Sequence, residues 1–162
     1  SRAGAKALFA LDNLWDGLGA ITVLNPDIRF LFGKMTMYRN YDRKCRDMLL
    51  HFLHKYFPDP DNLVRPFEPI DNNVDRPEIT SVFSGASYDE DYRTLNAEIH
   101  SHGISIPPLV NAYMGLSPSM RMFGTAINDE FGDVEESGIM LTLADIYEAK
   151  KNRHIKTYHP EA

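Results

Sequence analysis

The sequence has a single cysteine, Cys45, among 162 residues. One thiol cannot form an intramolecular bridge, and no Cys/His spacing has the pattern of a zinc motif, so a disulfide framework is excluded and no metal is expected. None of the six histidines is expected to share a ligand cluster with Cys45. A lone thiol fits a reducing compartment, so the cytoplasm is the expected location. Long apolar runs are also lacking. Asp, Asn, Arg or Gly interrupts each one well short of the about 20 residues that cross a bilayer. Positive charge is in short supply too: the net charge of -6 argues against general nucleic-acid binding. Basic residues gather only locally, in Arg39, Arg43, Lys44 and Arg46, and again in Lys150, Lys151, Arg153 and Lys156. The sequence has no internal repeat and no low-complexity tract. It opens on Ser1-Arg2-Ala3-Gly4-Ala5-Lys6, with neither an initiating Met nor a signal-peptide pattern, directly before a helical periodicity. This start reads as a cut inside a fold.

What is present fits one domain spanning residues 1–162, with 43% hydrophobic and 25% charged residues. Leu8, Leu11, Leu14/Trp15, Leu18 and Ile21 recur every three or four residues and predict a helix from about Ala5 to Leu24. Asn25-Pro26-Asp27 ends it. Ile28 to Tyr38 is short, apolar and aromatic, and reads as a buried strand. Asn40 or Asp42 can cap a following helix whose stripe runs Cys45, Met48/Leu49, Phe52/Leu53 and Tyr56 before Pro58 stops it. Prolines, glycines and Asp/Asn residues from Pro58 to Ser87 predict an irregular surface excursion. Ser87-Tyr88-Asp89-Glu90 fits a capping box for a helix closed near Gly103. A short helix follows Ile106-Pro107-Pro108 and ends before Ser117-Pro118. Met120 to Asn128 and Gly138 to Leu143 read as two strands joined by the polar stretch Asp129 to Ser137. A polar helix follows Asp145.

Several of these segments together carry a resemblance. Leu14-Trp15-Asp16-Gly17-Leu18-Gly19-Ala20 followed by Phe30-Leu31-Phe32-Gly33, then Asn40-Tyr41 and Arg46, resemble the central stretch of the GNAT-type lipid N-acyltransferases often labelled hemolysin-like. Ile106-Pro107-Pro108-Leu109-Val110, Phe123-Gly124-Thr125-Ala126-Ile127-Asn128 and Phe131-Gly132-Asp133-Val134 follow the same group's pattern. The resemblance implies an α/β, GNAT-like (acyl-CoA N-acyltransferase) fold, represented by its C-terminal half, with a helical insertion before the last two strands. It implies an enzyme that moves a fatty acyl group, often 3-hydroxylated, from acyl carrier protein to the amine of glycine or ornithine in aminolipid synthesis. The group's donor loop, Gln/Arg-x-x-Gly-x-Gly/Ala, is matched only in part by Arg2-Ala3-Gly4-Ala5-Lys6. Its first four strands, one of which supplies an oxyanion amide, would lie upstream of Ser1.

A thioester-to-amine transfer needs a neutral amine, a site for oxyanion charge and a proton for the departing thiolate. Free amides at a helix start bind phosphate, so Arg2, Gly4, Ala5 and Lys6 are the residues expected to meet the phosphopantetheine of acyl carrier protein, or acyl-CoA. The same residues would also make an ordinary capping turn. Tyr41 falls where the family places a phenol near the thioester sulfur, with Tyr38 as the fallback; most tyrosines are simply packed with a wet hydroxyl. Asn128 and Asp133 could position the acceptor amine, and both are also common turn formers. Arg46 can hold an acceptor carboxylate in a two-point contact. Glu98, His100 and His102 can transfer protons by type, but Glu98 and His102 share a predicted helix face that reads as solvated. Leu109 to Met114 reads as core rather than as the floor of an acyl tunnel.

The basic cluster around Arg39 to Arg46 suits the acidic surface of acyl carrier protein or anionic headgroups at the inner face of a membrane. An unpaired sheet edge is expected to pair with the N-terminal half or with a second copy. Two other readings remain open. One is a non-enzymatic, hemolysin-type membrane-active protein, against which stands the lack of a strongly basic amphipathic helix. The other is a GNAT relative that uses acyl-CoA and a different amine.

Overall fold

The computed structural model describes the backbone of residues 2–156 and the side chains of residues 13–156. The order is α1 (Arg2–Leu24), β1 (Phe30–Met37), α2 (Arg43–Tyr56), α3 (Pro77–Thr80), α4 (Tyr88–Ser101), α5 (Pro108–Met114), β2 (Arg121–Asn128), β3 (Val134–Thr142) and α6 (Glu148–His154). The three strands form one antiparallel sheet in the order β1-β3-β2. Helices and sheet share one core, as an α/β fold with a helical insertion before its last two strands requires.

α2 is the centre of that core. Its Met48, Leu49, Leu50, Phe52 and Leu53 are all buried, and each such side chain contributes about 2 kcal/mol when removed from water. Asp42 caps the helix by accepting from the Cys45 backbone N–H at 2.9 Å. At the other end the chain leaves through Phe57, and Met122 of β2 donates to the Phe57 carbonyl at 2.8 Å. α4 lies against α2, with Leu95 and Ile99 turned inward. Ser87 caps α4 by accepting from Glu90 N–H, and Gly103 closes it at a φ of 74°. The fully buried Asp91 carboxylate ties the two helices together, accepting from Lys55 at 2.8 Å and Tyr56 at 2.7 Å. It also accepts from Ser84 and from the Gly85 amide, which fixes the end of the irregular excursion.

Two strand expectations need correction. β1 is buried on one face only. Met35 and Met37 face the helices, while Phe30 and Phe32 are exposed on the opposite face. As the outermost strand of the sheet, β1 has no strand on its far side among the described residues. β3 begins at Val134, not Gly138, because its polar residues are internally paired: Glu135 binds Arg46, and Ser137 shares a 2.7 Å hydrogen bond with Thr125. Polarity that reads as turn in the sequence is, in the fold, a satisfied interior network. The true turn is Asp129–Phe131 followed by left-handed Gly132 and Asp133.

The excursion from Pro58 is irregular, as expected, apart from α3. Pro69 makes an isolated bridge to Ala126, and Ile70 donates to the Thr125 carbonyl, so the loop covers the outer side of β2. α1 lies on α6 at the other end of the molecule. Trp15 is buried and Leu18 packs on the core, whereas Leu14 and Ile21 from the predicted stripe face outward. Gly19 permits this contact, since a Cβ there would stand 1.8 Å from the His154 carbonyl oxygen. Asp16 meets His154 Nδ1 at 2.7 Å beside it. Among the described residues no helix is long and apolar enough to cross a membrane.

Candidate functional site

The sheet, the β1–α2 turn and the turn between β2 and β3 together frame three adjoining grooves. The first, of about 510 Å³, is lined by Tyr41, Asn40, Ser105, Pro107, Leu109 and Phe131. Tyr41 is half-buried here because its turn folds back, its backbone N–H donating to the Tyr38 carbonyl at 2.9 Å. Its hydroxyl donates to the Ser105 carbonyl at 3.0 Å. Burial, with Cys45 and Asp42 nearby, pushes the phenol up to about 12, so it keeps its proton through the neutral range.

Phe131, largely exposed, also borders the second groove, which Lys34, Asn128, Glu130 and Glu136 complete. Cross-strand pairing produces this cluster: Lys34 and Glu136 lie on adjacent strands of one sheet face and bond at 2.7 Å. Asn128 Nδ2 donates to the same Glu136 oxygen at 3.1 Å, which leaves the Asn128 carbonyl oxygen free to accept. The Lys34 bond holds the Glu136 carboxyl below its ordinary range, with Asn128 and Thr36 adding to the effect against partial burial.

The third groove, about 670 Å³, gathers Arg39, Arg43, Arg46 and Arg65 with Glu68 and Asp71. Arg39 reaches Asp133 at 3.3 Å across the mouth. Arg46 is buried at the base. It donates to Glu135 at 2.7 Å, twice to Asp47 at 2.7 and 2.9 Å, and to the Asp71 carbonyl at 3.4 Å. Burial opposes its charge, but the two carboxylates more than offset that and raise its pKa. Arg43 and Arg65 have no ion pair among the described residues.

The structure thus brings Tyr41, Asn128, Asp133 and Arg46 to one end of the sheet, around the β1–α2 and β2–β3 turns. Arg2, Gly4, Ala5 and Lys6 fall in the opening turns of α1, and their side chains lie outside the described residues. Val110 and Met114 of α5 are buried in the core, in line with the sequence reading.

A protein of Phocaeicola vulgatus named glycine N(alpha)-acyltransferase is 55% identical to this chain along 100% of it, over 51% of its own length. One of the same name from Bacteroides thetaiotaomicron is 56% identical, again along the whole chain and over 49% of its own length. The chain is similar to both along its whole length. It spans about half the length of these relatives. No family model matches the chain, and no solved structure matches it.

Sequence reasoning missed two features of this end of the chain. Lys34 sits in a segment read as a strand while Glu136 falls in the stretch read as a turn, so their pairing across the sheet had no signal in the sequence. The other feature is a correction. Cys45 does share a cluster with a histidine: the donor atoms of Asp42, Cys45 and His102 all lie within 4.8 Å of one another. Residues 45 and 102 are far apart in sequence, and only the packing of α4 on α2 unites them. Burial, together with Asp42, pushes the Cys45 thiol up to about 12.

Proposed function

We propose that the protein to which this chain belongs transfers a fatty acyl group, 3-hydroxylated as in the group it resembles, from acyl carrier protein to the amine of glycine in aminolipid synthesis. The carrying observation is the identity of 55% and 56%, along the whole chain, to two proteins named for glycine N-acylation. The geometry of the three grooves supports the reading.

The thioester lies in the Tyr41 groove, whose apolar wall of Pro107, Leu109 and Phe131 suits the start of an acyl chain. The neutral amine attacks the thioester carbonyl, and the adduct releases its extra amine proton to water and collapses with cleavage of the C–S bond. Tyr41 turns from the Ser105 carbonyl to the sulfur and donates its proton there, and water afterwards returns a proton to the Tyr41 phenolate. Its high pKa keeps that proton in place until the thiolate forms. The acceptor amine hydrogen-bonds to the free Asn128 oxygen, with Asp133 at the same turn. Its carboxylate docks in the arginine groove on Arg43 and Arg65, because the Arg46 guanidinium, expected from the sequence to hold it, is already taken by Asp47 and Glu135. Arg2, Gly4, Ala5 and Lys6 at the start of α1 meet the donor's phosphate. Acyl carrier protein docks its acidic surface on Arg39, Arg43 and Lys44, and an anionic membrane face offers the same complementarity. The open side of β1 pairs with another strand, from the remainder of the protein or from a second copy.

The test is thiol release from acyl-carrier-protein thioester by the purified full-length protein. Release that requires glycine supports the reading. Release without glycine, or none with any amino acid, removes it.

A further inference from the structure

Two helices that pack side by side bring three metal-ligating side chains to one place. From α2 come Asp42, its cap, and Cys45, three residues on. From the C-terminal cap of α4 comes His102. The donor atoms of Asp42, Cys45 and His102 lie within 4.8 Å of one another.

The spacing is informative. His102 Nδ1 stands 3.7 Å from Asp42 Oδ2, too long for a hydrogen bond. In a tetrahedral zinc site with bonds of about 2.0 to 2.3 Å, neighbouring donor atoms sit about 3.5 Å apart. The Asp42 oxygen that caps α2 is Oδ1, so Oδ2 is free to bind an ion while the cap stays intact. Cys45 is wholly buried, whereas Asp42 and His102 are partly exposed, so the cluster lies at the boundary between core and solvent.

We propose that Asp42, Cys45 and His102, with water in the fourth position, bind one zinc-like divalent cation. On binding, the thiol gives up its proton to solvent and a metal–sulfur bond forms. The cation fastens the end of α4 to the start of α2. Because Tyr41 precedes Asp42 and bonds to Ser105 just after His102, it also holds the two walls of the Tyr41 groove together. The sulfur ligand selects zinc or cobalt over magnesium and calcium. This inference stands on the cluster alone and does not depend on the acyl-transfer reading.

The test is titration of the untagged full-length protein with cobalt(II), followed by competition with zinc. The expected result is one equivalent bound, visible as tetrahedral d–d bands and a thiolate-to-cobalt charge-transfer band, all displaced by zinc. Cys45→Ala removes the charge-transfer band, and His102→Ala weakens binding by about a hundredfold or more. If Cys45→Ala does not fold, the near-isosteric Cys45→Ser replaces it, and loss of the sulfur shell from its cobalt or zinc X-ray absorption spectrum relative to wild type gives the same answer. Absence of a thiolate band at saturating cobalt, or a metal shell without sulfur, overturns the proposal.

Discussion

The hydroxyl of Tyr41 donates to the carbonyl of Ser105 at 3.0 Å, so the turn after α4 holds the phenol in place at the groove. The same bond must be exchanged if the phenol is to serve a leaving thiolate. Tyr41→Phe removes the proton and leaves the ring. Turnover should fall by about 10², with donor affinity nearly unchanged, because only the transition state loses an interaction. Steady-state kinetics in the full-length protein decide it, and an unchanged turnover number would make Tyr41 a packing residue.

Asp91 should govern acid stability. Burial alone would raise its pKa, yet hydrogen bonds from Lys55, Tyr56 and the Gly85 amide bring it down from 3.8 to about 2. A depressed folded-state pKa stabilises above the unfolded value, and that stability is lost as pH falls through the folded one. Unfolding by urea should therefore become easier between about pH 4 and pH 2. Asp91→Asn should flatten that dependence and cost about 3 kcal/mol at neutral pH, since it breaks a buried pair.

Gly19 and Gly17 make a matched pair. A Cβ at 19 would collide with the His154 carbonyl, while one at 17 meets nothing within 4 Å. Gly19→Ala should push α6 away from α1 and cost about 1–3 kcal/mol. Gly17→Ala should be neutral, or stabilise by up to about 1 kcal/mol through helix propensity. Hydrogen exchange in α6 and urea midpoints for both variants provide the check; equal effects would mean that α1 and α6 do not meet this closely.

Local chemistry was legible in the sequence wherever the signal was local. Asp42 and Ser87 announce their helices because a cap acts on amides three residues away, and Pro58 ends α2 as its ring demands. Glu135 and Ser137 were misread as turn residues because their partners, Arg46 and Thr125, come from other elements. The Asp42, Cys45 and His102 cluster and the Lys34–Glu136 pair were illegible for the same reason: each depends on which helix or strand lies alongside. Tyr41, Asn128, Asp133 and Arg46 do gather at one end of the sheet, but Arg46 meets Glu135 and Asp47 there, contacts that no spacing in the sequence displays.

The central claim is acyl transfer to glycine, and one assay tests it most directly. Purified full-length protein is mixed with a 3-hydroxyacyl thioester of acyl carrier protein and isotopically labelled glycine, and the products are read by mass spectrometry. The account predicts N-acylglycine carrying the label, formed in step with free thiol and absent when glycine is omitted. Thiol release with no labelled amide, or labelled amide from a different amino acid but not from glycine, would contradict it.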